Sequence, residues 1–360
     1  MRLVADSGLW STGQQAAQPQ LVAVLEVSGA VLTWTVDDAA HAAQLTFTDP
    51  DRADWLWRVL GESGHVALAA ALDGRAPEAA IELTDVNLKP ETLEPLRRLA
   101  LGHWLRRWWP TSRRDGIAAL DAPLLDAEIA MLTAGAEEFF TDDTFDSDVA
   151  ALLRPHTAAL SAHLQGGDPR VIELVRSCVD LAGDVGIEFA ETDSVAARRD
   201  DYALAAGADG NGRNAISIAT GTDSVNWGAV PSGIFDAAEE TIQWQVEAAD
   251  GTAKALVRVE LSGNGLAAGI NVWLRSGGFS GVGVLDADGV ATFGIFDGQE
   301  PVAESAAWDH DWRSATVSVG ADVEESPQTR QRIREFARAR LSAPAGDAFL
   351  AEVLAAESDY

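Results

Sequence analysis

The apolar periodicity of this chain changes along its length, and that change limits the folds open to it. Between residues 90 and 182 apolar side chains recur every three to four positions, the spacing of one helix face; from 241 to 319 they alternate at the two-residue spacing of strands. A wholly helical fold and a wholly β fold are both excluded. Between the two regimes, residues 190–213 gather Asp and Gly and end in Gly210-Asn211-Gly212, which reads as a linker.

The helical stretch divides at its punctuation. Pro90 suits a first helical turn and Pro110 a stop, and between them Leu93, Leu96, Ala100, Trp104 and Trp108 form a stripe. A second stripe runs Leu125, Ile129, Leu132, Ala136, Phe139. Asp168-Pro169, an N-cap followed by a first-turn proline, opens a third through Val171, Val175, Cys178 and Ala182. Ahead of these, residues 21–28, 31–36 and 43–48 read as short strands, 51–60 as a short helix, and 65–72 as either. Beyond the linker, strands are expected at 241–246, 256–261, 270–274, 290–296 and 314–319, with Asp288-Gly289 as a hairpin turn. Ser326-Pro327 then starts a helix with Ile333, Phe336, Ala337 and Leu341, and a shorter one follows Pro344.

The expectation is therefore an α+β chain. It comprises a mixed α/β domain at 1–120, a helical segment at 121–189, the linker, an antiparallel β-sandwich at 214–322, and a helical tail at 323–360; the stretch 212–322 is expected to fold without the rest.

Charge sets the classes of partner. Asp and Glu total 56 against 26 Lys and Arg, a net charge of −30. Such a field repels phosphate backbones and anionic lipid, so neither nucleic acid nor membrane is expected as a partner. No apolar run approaches the roughly 18 residues of a membrane span, and the first 20 residues lack the apolar core of a secretory signal; a cytoplasmic location is expected. The single cysteine, Cys178, sits on an apolar stripe and reads as a buried, inert thiol.

Catalytic motifs are sparse. There is no GxSxG elbow and no phosphate-binding GxxxxGK[ST] loop. Gly263, Gly265 and Gly269 follow a strand but lead into alternating Ile270–Leu274, so a loop between strands is expected rather than a dinucleotide turn. Asp142, Asp143, Asp146 and Asp148 lack the glycine and terminal glutamate of a calcium loop. The histidines are scattered, and no metal or cofactor is expected. The densest local chemistry is Trp308-Asp309-His310-Asp311-Trp312. In extended backbone His310 points away from Asp309 and Asp311 and lies with the two tryptophans.

Residues 97–114 hold six arginines and three tryptophans. Within them Arg106, Arg107, Trp108, Trp109, Arg113 and Arg114 are candidates for binding an acidic partner, although pairing with the chain's own carboxylates is the favoured explanation. Glu128, beside its apolar stripe, is expected to pair with an arginine. The leading functional expectation is a non-catalytic protein-interaction or scaffold component with a protein partner of unknown identity. Two alternatives stand behind it: a hydrolase assembled from distant residues, with His310, Asp309 and Asp311 to test first, and a carbohydrate-binding module using Trp273, Trp308 or Trp312.

Overall fold

The computed structural model describes the chain except residues 14–17, 39–41, 74–76, 78–79, 138, 141–145, 166, 190–215, 264 and 359–360. The expected linker and the aspartates Asp142 and Asp143 therefore lie outside the described residues. In chain order the elements are β1 (Arg2–Asp6), β2 (Leu9–Ser11), β3 (Val22–Val27), β4 (Ala30–Thr35), β5 (Gln44–Phe47), α1 (Leu56–Leu72), β6 (Ile81–Glu82) and α2 (Pro90–Trp108). Then come α3 (Ala122–Glu137), α4 (Asp146–Leu153), α5 (Thr157–His163), α6 (Pro169–Asp184), β7 (Ile216–Asp223), β8 (Ile242–Ala249), β9 (Thr252–Val259) and β10 (Asn271–Ser276). The remainder are β11 (Phe279–Val284), β12 (Val290–Gly294), β13 (Phe296–Asp297), β14 (Glu300–Pro301), α7 (Glu304–Asp309), β15 (Thr316–Val319), α8 (Pro327–Ser342) and α9 (Leu350–Ser358). This is an α+β fold with sandwich-like antiparallel sheets toward its C-terminal part. Among the described residues no helix is long and apolar enough to cross a membrane.

The described residues cluster into two compact units. One takes in Met1–Trp109, Leu120–Thr192 and Gln328–Tyr360; the other takes in Pro110–Ala119 and Asp193–Pro327.

In the first unit a six-stranded antiparallel sheet has the order β3-β4-β5-β2-β1-β6. The expected strands at 21–28, 31–36 and 43–48 are β3, β4 and β5. The ambiguous 65–72 is helical and belongs to α1, which is interrupted at Gly61 (φ 74°). Helix α2 packs on β3 and α3, and its Trp104 indole donates to the Gln20 carbonyl at 2.8 Å while meeting the Phe336 ring edge-on at 5.3 Å. The C-terminal helices are part of this core. Phe349 is fully buried, and the Leu350 N–H donates to Glu128 at 2.8 Å. Glu128 also pairs with Arg98, as its place beside the stripe suggested. Arg340 meets the fully buried Glu352 through two hydrogen bonds of 2.5 and 2.7 Å and reaches Asp347 at 3.1 Å.

In the second unit a four-stranded sheet, β12-β9-β8-β7, packs with a five-stranded one, β14-β13-β11-β10-β15; all pairings are antiparallel. Trp244, Val246, Val257, Val272, Leu274 and Phe293 point between them. The short segment Pro110–Ala119 is built into this unit. Asp236, buried, accepts from the Ser112 hydroxyl at 2.6 Å, from the Arg113 N–H at 2.8 Å and from the Ala238 N–H at 2.9 Å.

Candidate functional site

Strand β11 reads Phe279-Ser-Gly-Val-Gly-Val284, and its alternation is inverted. The positions facing the sandwich interior are Gly281 and Gly283; the valines face outward and are 58% (Val282) and 55% (Val284) exposed. The cause is Phe293 on β12. A Cβ on Gly283 would stand 2.2 Å from the Phe293 ring, and one on Gly281 2.9 Å from it. The aromatic ring occupies the space that inward side chains of β11 would otherwise fill, so close approach requires glycine there.

Register defines what surrounds the outward valines. Cross-strand partners share a face, so Val282 lies beside Trp273, which in turn lies beside Ser318. Val284 lies beside Asn271, and the next row runs Thr316, Arg275, Ser280 and Phe296, the last also exposed. The outer face of the five-stranded sheet thus carries an apolar strip (Trp273, Val282, Val284) with polar groups at its borders.

The His310 cluster lies on the inner side of the same sheet. Residues 304–309 are helical, not extended, so the two-residue alternation assumed for Trp308–Trp312 does not apply. His310 lies tilted over Phe279 at 4.4 Å between ring centroids and meets Trp312 edge-on at 4.7 Å, and its Nε2 lies 2.8 Å from the Ser276 hydroxyl. Trp312 is buried and donates to the Ala307 carbonyl, whereas Trp308 is exposed and apart from the ring. Neither Asp309 nor Asp311 meets His310: Asp311 accepts from the Arg313 N–H at 3.1 Å and pairs with its guanidinium at 3.8 Å. Ser276 is the chemical neighbour that sequence reading missed. Its one legible signal is a hydroxyl at an inward-facing position of β10.

The arginine–tryptophan candidates divide between the two units. Arg106, Arg107, Trp108 and Trp109 belong to the first. Arg106 Nε meets Asp126 at 2.9 Å, and the other oxygen of that buried carboxylate lies 3.0 Å from His156 Nε2. The Arg107 guanidinium lies 4.2 Å from the centroid of the Trp108 ring, and Trp109 is buried. Arg113 and Arg114 belong to the second unit. Arg114 donates to the Glu239 and Glu240 carbonyls at 3.2 Å each, and Arg113 holds Asp236 through its backbone. Five of these six side chains, those of Arg106, Arg107, Trp108, Trp109 and Arg114, are thus engaged within the chain or buried in it.

Cys178 is fully buried, and burial pushes its thiol up to about 12, which leaves no reactive thiolate near neutral pH. Among the described residues no group of three or more His, Cys, Asp or Glu side chains is placed to hold a metal ion. No known family, curated protein or solved structure matches this chain.

Proposed function

We propose that the chain is a non-catalytic interaction component that docks a protein partner on the outer face of its five-stranded sheet. One observation carries this reading: two exposed valines on a strand whose inward positions are glycines. Core packing does not need Val282 and Val284, because Phe293 fills that part of the core. Apolar residues held in a row beside a tryptophan, against water, are the composition of a docking surface. The bordering Arg275, Asn271, Ser280 and Ser318 supply the polar rim such surfaces carry. A cytoplasmic setting belongs to the same proposal, since the one cysteine is buried and cannot form an internal disulfide.

A hydrolase reading rests on the Ser276–His310 contact. A nucleophile must reach a substrate carbonyl, and Ser276 is only 1% exposed, while Asp311 holds Arg313 and Asp309 does not hydrogen-bond His310. The carbohydrate reading loses Trp312 to the core and retains Trp273 and Trp308 on different elements.

The test is comparative capture from the native organism's lysate with the full chain and with the Val282→Thr/Val284→Thr variant, quantified by mass spectrometry. The expected result is one protein enriched by the native chain and lost with the variant, at an unchanged melting temperature. An identical captured set from both proteins would overturn the proposal.

A further inference from the structure

We propose that a cleft in the first unit, between β3, α2, α3 and α4, binds a small organic cation: a protonated amine on a short apolar stem. This site is independent of the sheet face discussed above.

The cleft encloses about 330 Å³, at the low end of what small-molecule sites occupy. Its polar lining is Glu26 from β3, His103 and Arg106 from α2, Thr133 from α3 and Asp148 from α4; Val24, Leu25, Leu99 and Leu152 supply the apolar part. The one permanent cation there is already matched, because Arg106 is paired with Asp126. Among the described residues Glu26 and Asp148 have no cationic partner, so the cleft retains uncompensated negative charge.

Its hydrogen-bonding character points the same way. Burial, then the Arg106 charge, hold His103 below its ordinary pKa against the opposing pull of Asp126 and Asp148, so the imidazole is neutral at pH 7 and offers an acceptor nitrogen. No described residue hydrogen-bonds that ring. The Thr133 hydroxyl spends its proton on the Ile129 carbonyl at 2.8 Å, leaving its lone pairs as acceptors. Beside the terminal N–H groups of Arg106, whose Nε is held by Asp126, the lining offers acceptors: two carboxylates, a neutral imidazole and a hydroxyl whose proton is committed. An ammonium carries three donors, no acceptor and a positive charge, and is the complement of that lining. The apolar wall accommodates the stem.

Three probes share one stem and differ in charge: hexylammonium, hexan-1-ol and hexanoate. Titrated into the full chain at pH 7 by calorimetry, hexylammonium is expected to bind saturably and at least about tenfold more tightly than hexanol, with hexanoate not binding. Glu26→Gln and Asp148→Asn, both at exposed carboxylates, are expected to keep the melting temperature and to weaken hexylammonium binding. Hexanoate binding as tightly as hexylammonium would instead make the cleft an anion site run by Arg106. Absence of saturable binding by all three probes into the millimolar range would make it a packing void. Unchanged hexylammonium affinity in both folded variants would place the cation elsewhere. Each of these results overturns the proposal.

Discussion

Arg340 shows how much a single residue can carry. Its guanidinium is buried against Glu352, which is itself 0% exposed and also accepts the Phe349 N–H at 2.9 Å. Helical spacing from Ile333 and Ala337 places this arginine on the apolar stripe, unlike its exposed neighbours Arg332 and Arg338, but the carboxylate that pairs with it is brought by α9. Removing one partner of such a pair leaves the other charged in a dry site, a loss of about 3–5 kcal/mol. Arg340→Ala should therefore lower stability in chemical unfolding by that amount. Adding Glu352→Gln should recover part of the loss, since glutamine still accepts from Phe349 and carries no charge. No recovery in the double variant would show that lost packing, not the stranded carboxylate, sets the cost. The pairing of Glu128 with an arginine was legible, by contrast, because a carboxylate flanking an apolar stripe has to find a cation.

Strand β11 is the element that pattern reading handles worst. Alternation assigns its valines to the core and its glycines to solvent, and the structure has the reverse. The deciding residue, Phe293, is near in sequence but lies on a strand of the other sheet, and the local pattern does not report that the two strands face each other. The energetic consequence is asymmetric. Gly283→Ala places a methyl group 2.2 Å from the Phe293 ring and should destabilise the protein by about 1–3 kcal/mol through overpacking. Val282→Thr removes no buried contact and should change stability by less than about 0.5 kcal/mol. Equal losses in the two variants, measured by denaturant titration, would mean that the outer face is covered and that the valines are core residues. The helices were the easier elements: α2, α3 and α6 carry stripes several turns long between prolines and caps, a signal that averages over many residues.

At the scale of the whole chain, sequence distance and structural membership part company. The alternating region reads as a domain able to fold alone at 212–322. Yet buried Asp236 takes three of its four hydrogen bonds from Ser112, Arg113 and Arg114, far earlier in the chain. A fragment of 212–322 is therefore expected to melt at a lower temperature than the same region in the full chain, with a peptide spanning 109–120 raising it. A fragment that melts at the temperature of the full chain, unmoved by the peptide, would show that Asp236 is satisfied without that segment.

Period, punctuation and charge are local or additive quantities, and they alone determined the α+β class, the principal helices and the strands β3, β4, β5, β8, β9, β10, β12 and β15. Local signals do not report which elements share a core. Only the tertiary structure decided that α8 and α9 close the core of the first unit, that residues 110–119 cap a buried aspartate in the second, and that His310 meets Ser276 instead of the aspartates beside it. Each of these depends on groups far apart in sequence meeting where water is excluded. There an unpaired polar group costs most, and one ring on the facing sheet can reverse the pattern of a strand.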